Sequence, residues 1–284
     1  MGRHQQFAAV SPDVGVLDEG AFGDALANEP DAALALLADL TGAVDERLRS
    51  LARLLSGRIV VDLARRGGRR RRGVGRLDSR PLSRWEGDLD IDASLDEIAR
   101  SAAGRGSAPD ADELRVRSWT KPATALCLLV DRSGSMGGER LATTAVAASA
   151  VAWRAPRDYS VLAFAADVVA IKSQDASRPP ERVVRDLLVL RGFGVTDLAG
   201  ALRAAGTQLA RSRAARQVTV LLSDGRATVP GDVVTAARAL DELIVVAPAG
   251  DAADAEKLSA DTGARFTTVS GPFDVPDAFA RLLD

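Results

Sequence analysis

The sequence predicts an α/β protein: a mostly parallel sheet with helices on both faces and one antiparallel edge strand, preceded by a smaller helical region. Three observations carry this. After Lys121, short apolar runs alternate with amphipathic stretches, as in a parallel sheet with crossover helices. One pair of runs, 159–165 and 167–172, is separated only by a tight turn around Ala166, which gives an antiparallel edge hairpin. From Pro30 to Arg66, apolar residues recur at helical spacing instead.

The first region, 1–64, is helical. Leu37, Leu40, Val44, Leu48, Leu51 and Leu55 fall on one stripe. Asp31 is a candidate N-cap, and Gly57 either interrupts the helix or separates two helices. Such a stripe packs against a neighbour in the same chain or forms a groove for a partner. Residues 65–121 read as a charged linker with a short helix. Positions 65–80 are basic and glycine-rich; 86–97 carry Glu86, Asp88, Asp90, Asp92, Asp96 and Glu97. No aromatic residues alternate with the arginines to stack bases, and only Trp85 follows. A solvated loop or a contact with a partner protein is therefore favoured over nucleic acid. The segment SLDEIARSAAGRG then reads as the helix.

The α/β region is 122–284. TALCLLV (124–130) is the apolar run expected of a strand buried on both faces, and 140–155 is helical. After the hairpin come the helix PERVVRDLLVL and a long amphipathic helix, 196–212. Strands at 217–223, 242–248 and 265–270 alternate with the helices DVVTAARAL, 251–263 and DVPDAFARLLD.

Composition narrows the function. Of 284 residues, 46% are hydrophobic and 27% charged, a globular balance. Aromatics are only 4%, so the core is built from Ala, Val and Leu. A net charge of −2 gives no overall bias toward nucleic acid or anionic membranes. The single cysteine, Cys127, excludes an intrachain disulfide and fits a reducing compartment. MGRHQQFAAV lacks the apolar core of a signal peptide, and no run approaches the roughly 20 apolar residues of a membrane helix. The expectation is a soluble, cytoplasmic protein. His4 is the only histidine, which removes Ser-His-Asp triads, Cys-His dyads and His-rich zinc sites.

Three polar clusters sit at strand ends or open helices: Asp131-Arg132-Ser133-Gly134-Ser135, Gly194-Val195-Thr196-Asp197 and Ser223-Asp224-Gly225. In open α/β sheets, ligands bind beyond the carboxyl ends of the strands, where the winding reverses. The first cluster does not match the nucleophile elbow G-x-S-x-G. The P-loop and the dinucleotide fingerprint G-x-G-x-x-G are absent. Phosphoaspartyl chemistry wants a second acid two residues after the first, where this chain has Ser133. Metal binding fits best. Carboxylates and hydroxyls are hard donors suited to Mg²⁺, which takes six oxygens at roughly 2.0–2.1 Å. Zinc and copper are disfavoured by the lack of soft or imidazole ligands. Gly134 gives the loop the freedom to turn its hydroxyls toward one ion.

The strings LLVDRSGSM, GFGVTDLAGAL and TVLLSDGRA resemble the metal-ion-dependent adhesion site (MIDAS) of von Willebrand factor A (VWA) domains, in their bacterial intracellular form. The matching positions are Asp131, Ser133, Ser135, Thr196 and Asp224, and the resemblance spans roughly 122–284. It implies a Rossmann-like three-layer VWA fold. It also implies that Ser133, Ser135 and Thr196 offer hydroxyls to Mg²⁺, with Mn²⁺ or Ca²⁺ as substitutes. Asp131 and Asp224 would bind the ion directly or through water, leaving one position open for an Asp or Glu carboxylate of a partner protein. Asp197 reads as a helix cap or a support of the site. Arg132 either steers an acidic partner or is simply solvated.

The N-terminal layout is similar to that of CoxE-like VWA proteins and to the VWA end of magnesium chelatase D-type subunits. It consists of a basic segment, then L-D-I-D-x-S-L-D-E-I, then RVRSW. The chain is too short for the AAA-like half of a chelatase D subunit. The likeness implies a MoxR-type AAA+ ATPase as partner. The expected function is a non-enzymatic, metal-dependent adaptor in complex assembly, remodelling or metal or cofactor insertion. The alternative is a stand-alone MIDAS ligand-binding protein with no ATPase.

Overall fold

The computed structural model describes residues 7, 10–12, 16–66, 76–82, 88–104, 108–120, 123–133, 138–190, 192 and 194–283. The chain divides into two compact units, residues 1–69 with 124–284, and residues 70–123. The large unit opens with α1 (Glu19–Asn28), α2 (Pro30–Leu40) and α3 (Glu46–Arg66). The small unit holds β1 (Arg76–Pro81), β2 (Asp88–Leu89), α4 (Ile91–Ala103) and β3 (Arg115–Thr120). The large unit continues with β4 (Thr124–Asp131), α5 (Gly138–Arg154), β5 (Tyr159–Phe164), β6 (Val168–Lys172), α6 (Pro180–Leu188) and α7 (Leu198–Leu209). It ends with β7 (Arg216–Leu222), α8 (Val233–Arg238), β8 (Glu242–Pro248), α9 (Ala253–Thr262), β9 (Arg265–Val269) and α10 (Val275–Leu283).

The six strands of the large unit lie in the order β6-β5-β4-β7-β8-β9. All neighbours are parallel except β5 and β6, the antiparallel edge pair read from the sequence. Successive side chains of a strand point to opposite faces, and β4 follows this rule. Leu126, Leu128 and Val130 enter the core under α5, α6 and α10. Ala125, Cys127 and Leu129 enter the core under α7, α8 and α9. The apolar run of β4 is thus buried on both faces, as a central parallel strand requires. The chain winds from β4 to β5 on one side and resumes at β7 on the other, so the carboxyl ends of β4 and β7 flank the reversal.

The N-terminal helices are part of this unit. α2 sends Leu34 and Ala38 into the core shared with α5, and Ala33, Leu37 and Leu40 into a second cluster with Phe22, Leu48, Ala52 and Leu55. Gly57 neither interrupts nor separates helices, because α3 runs straight through it. The break falls at residues 41–45. The Thr41 hydroxyl donates to the Ala38 carbonyl at 2.7 Å, and Asp45 caps α3 by accepting the Leu48 N–H at 2.7 Å. Turning the chain there leaves Val44 99% exposed and Leu51 39% exposed, off the expected stripe. Asp31 does not cap α2, which follows Glu29 without a side-chain cap. Its Oδ1 instead accepts the Phe273 N–H at 2.8 Å.

The small unit, where the sequence suggests a linker with a short helix, carries a three-stranded antiparallel sheet of order β1-β3-β2. Residues 67–75 and 83–87 of its charged stretches lie outside the described residues. Asp90 caps α4 through the Ala93 N–H at 3.2 Å. Among the described residues, no helix is long and apolar enough to cross a membrane.

Candidate functional site

Asp131 ends β4, and Ser223 directly follows β7, the strand paired with it. Asp131 Oδ1 accepts the Ser133 N–H at 2.8 Å, and its Oδ2 accepts the Ser223 hydroxyl at 2.7 Å. The Ser223 oxygen in turn accepts the Gly225 N–H at 3.0 Å. Asp224 fixes its own loop by accepting the Arg226 N–H at 3.0 Å. Each carboxylate thus takes an N–H two residues on, the turn that Asp favours after a strand. Burial pushes the Asp131 carboxyl above its usual range. Hydrogen bonds from Ser133 and Ser223 oppose that shift, and the charge of Asp224 adds to it. A partly buried carboxylate beside a second carboxylate is an environment that a cation would relieve.

Thr196 is buried in the loop before α7. Its N–H donates to the Thr228 hydroxyl at 2.7 Å, and its carbonyl accepts the N–H groups of Thr228 and Val229, both at 3.1 Å. This stitches Thr196 to the loop that carries Asp224. The Asp197 N–H donates to the Ala165 carbonyl at 2.8 Å, and the Asp197 carboxylate caps α7 through the Gly200 N–H at 2.8 Å. The three polar clusters are therefore tied to the ends of β4, β5 and β7. Ser135, with Gly134, lies outside the described residues.

Two neighbours hold these loops. Gly225 has φ +84°, and a Cβ there would sit 2.5 Å from the Ala255 nitrogen. Only glycine allows this loop to press against the start of α9. Arg226 pairs with Asp251 at 2.5 Å and Asp254 at 3.1 Å, which anchors the outer side of the loop. Past the first loop, the Gly138 N–H at the start of α5 donates to Asp39 Oδ1 of α2 at 2.9 Å.

Arg132 neither steers a partner nor extends into solvent. It is buried, its N–H donates to the Phe164 carbonyl at 2.9 Å, and its guanidinium pairs with Asp167 in the β5–β6 turn. These contacts tie position 132 to the β5–β6 pair at the edge of the sheet. Sequence reasoning assigns no role to Ser223, although the string S-D-G places it beside Asp224. Thr228 and Asp39 gave no signal, since their partners lie 32 and 99 residues away.

A cavity of about 360 Å³ opens beside Asp131, Ser223 and Asp224 at the carboxyl ends of β4, β7, β8 and β9. Glu139, Arg140 and Thr144 of α5 form its far wall. Among the described residues, no group of three or more His, Cys, Asp or Glu could hold a metal ion. Cys127 contributes nothing: it is fully buried, and burial pushes its thiol up to about 12.

A mostly parallel sheet covered by helices on both faces, with one antiparallel edge pair, defines a Rossmann-like α/β fold. The model of the family described as "VWA domain containing CoxE-like protein" matches residues 57–247, more than half of the chain, and the chain belongs to that family. Solved structures similar to parts of the chain include a von Willebrand factor type A protein from Catenulispora acidiphila (15% identity, 58% of this chain, 43% of that chain, TM-score 0.45). Others are manganese-loaded TRAP protein from Plasmodium vivax (14% identity, 55% of this chain, 71% of that chain, TM-score 0.43) and a mutant of the PilB minor pilin from Streptococcus sanguinis (12% identity, 60% of this chain, 63% of that chain, TM-score 0.45). The matched part is under half of the first of these chains. No curated protein sequence matches the chain.

Proposed function

We propose that this protein is a divalent-cation-dependent protein-binding adaptor with no catalytic activity of its own. It works in the cytoplasm beside a MoxR-type AAA+ ATPase, in complex assembly, remodelling or metal or cofactor insertion. The observation that carries this reading is Asp131. Burial and the charge of Asp224 work against its ionised form, while Ser133 and Ser223 hold its two oxygens in place at the switch point of the sheet. Asp131, Ser133, Ser135, Thr196 and Asp224 are the residues that would hold Mg²⁺, with Mn²⁺ or Ca²⁺ as substitutes. When bound, the ion supplies an electrophilic centre for an Asp or Glu carboxylate of the partner. The chain's own contribution is orientation. Ser223 holds Asp131, Thr228 holds the backbone of Thr196, and Arg226 holds the Asp224 loop against α9. Membership of the CoxE-like family supports a protein partner.

Calorimetric titration of the full chain with MgCl₂ and MnCl₂ tests the metal. Saturable binding lost in Ser133→Ala/Ser135→Ala is expected, and no heat from either salt would overturn it. Co-purification with a MoxR-type ATPase from the same genome, with and without EDTA, tests the partner. Capture that EDTA abolishes supports the adaptor. Metal binding without any ATPase capture leaves the stand-alone ligand-binding reading.

A further inference from the structure

Hydrogen bonds join the three polar clusters of the candidate site into a ring. The Ser223 hydroxyl ties the third cluster to Asp131 of the first at 2.7 Å. The Thr196 carbonyl accepts the N–H groups of Thr228 and Val229, both at 3.1 Å, and ties the second cluster to the loop of the third. The remaining side, from the second cluster back to the first, runs through the β5–β6 turn. The Asp197 N–H donates to the Ala165 carbonyl at 2.8 Å, and the Ala165 N–H closes the turn on the Asp167 carbonyl at 2.9 Å. The Asp167 carboxylate then accepts from the buried guanidinium of Arg132.

Arg132 stands between Asp131 and Ser133, so its placement bears on both. Its N–H meets the Phe164 carbonyl at 2.9 Å, one residue beyond the β4–β5 ladder, while its side chain reaches the tip of the turn. The two partners are unlike: the Arg132 side chain is 10% exposed and that of Asp167 68%. Burying a guanidinium one residue from Asp131 costs desolvation, and its charge opposes a cation bound there. A carboxylate partner offsets both effects, and the charge-assisted hydrogen bond is directional. The pair thereby braces the Ser133 loop against the turn that carries the Thr196 loop. Such a brace bears unequally on the two hard ions. Mg²⁺ demands near-octahedral oxygens at roughly 2.0–2.1 Å, whereas Ca²⁺ accepts a looser shell at about 2.3–2.6 Å.

We infer that Arg132 and Asp167 are a positioning pair that makes the site select Mg²⁺ over Ca²⁺, by bracing the Ser133 loop against the Thr196 loop through the β5–β6 turn. The inference rests on the cation-binding reading above and adds which ion the ring favours and which residues outside the donor set decide it.

Calorimetric titration of the full chain with MgCl₂ and with CaCl₂ is the test. The wild-type chain is expected to bind Mg²⁺ more tightly than Ca²⁺. In Asp167→Ala, Mg²⁺ affinity should fall about tenfold and Ca²⁺ affinity by no more than about threefold. Asp167→Asn keeps an acceptor oxygen and should stay near the wild-type ratio of the two affinities. Arg132→Gln/Asp167→Ala removes both charges and should keep the lowered ratio. A freed Arg132 charge acting alone would weaken both divalent ions alike. An unchanged ratio in Asp167→Ala, or a wild-type ratio in the double variant, therefore overturns the inference while leaving the cation site standing. A wild-type chain that favours Ca²⁺ does the same. A wild-type chain that takes up neither ion removes the cation reading and this inference together. The brace is also read without metal. Amide hydrogen exchange at Arg132 and at Asp197 is expected to quicken together in Asp167→Ala, and no change at Asp197 counts against the pair. Asp167 is an exposed turn residue, and circular-dichroism melts confirm that the variants fold.

Discussion

Ser223 donates its hydroxyl to Asp131 at 2.7 Å across two adjacent parallel strands, although the residues stand 92 positions apart. The contact joins the first and third polar clusters of the sequence before any ion is considered. Removing it leaves Asp131 Oδ2 without this donor, in a site where burial already opposes its charge. A hydrogen bond to a charged group contributes about 1.5–3 kcal/mol, and the partly exposed site puts this one at the low end. Ser223→Ala is expected to weaken Mg²⁺ binding about tenfold in calorimetric titration. Ser223→Thr, which keeps the hydroxyl, should retain most of the affinity.

The Asp224 loop depends on glycine at 225. Alanine there meets both an unfavourable φ of +84° and the α9 backbone, at 2.5 Å from the Ala255 nitrogen. Gly225→Ala is expected to cost about 2–3 kcal/mol, read as a lower midpoint in urea unfolding. An unchanged midpoint would mean that the loop and α9 part without cost.

Asp39 holds the start of α5, the helix that follows the loop of the first polar cluster, through the Gly138 N–H. Asp39→Ala removes the acceptor of an N-terminal helix N–H, for an expected loss of about 1–2 kcal/mol. It should also weaken cation binding, because the start of α5 then loses its tie to α2. Asp39→Asn, which keeps an acceptor oxygen, should restore both; urea unfolding and MgCl₂ titration are the two readouts.

Acid stability should depend on Glu242. Its carboxyl accepts from Arg216 at 2.7 and 3.0 Å and from Arg265 at 2.6 Å. The Arg216 hydrogen bond is the largest cause holding it below the usual Glu range. A group whose folded pKa lies below its unfolded value contributes stability above the unfolded value, about 4.3, and loses it as pH falls through the folded one. The pair is partly exposed, so the contribution is at most about 1 kcal/mol. Glu242→Gln is expected to lower stability at pH 7 and to converge on wild type at the acid end. Parallel curves down to pH 3 would remove Glu242 from the acid transition.

The sheet could be read from the sequence because its central strands are buried on both faces and therefore appear as unbroken apolar runs, TALCLLV above all. The helix break was harder. Gly57 looked like the natural stop, but tertiary packing of Ala52, Leu55 and Val60 carries α3 through it. The true signal was the cap at Asp45, four residues after the Thr41 terminus. The places of Asp131, Thr196 and Asp224 in the fold were visible because they follow strands or precede a helix. Arg132 was misread because local sequence cannot show that Asp167, in a neighbouring turn, reaches back to it. Ser223 and Asp39 act on partners far away in the chain, and pairings of that kind leave no local pattern.

α2 is held at both ends: Asp39 grips Gly138, and Asp31 grips Phe273 from 242 residues away. During synthesis this helix emerges long before either partner exists. The first clasp can close only once the start of α5 has left the ribosome, and the second must wait for the turn before the final helix. Contacts of such long range close late and slowly. Until then Leu34 and Ala38, which belong to the shared core, have no sheet beneath them. The nascent chain therefore carries an unburied helical face at least until β4 and α5 have emerged.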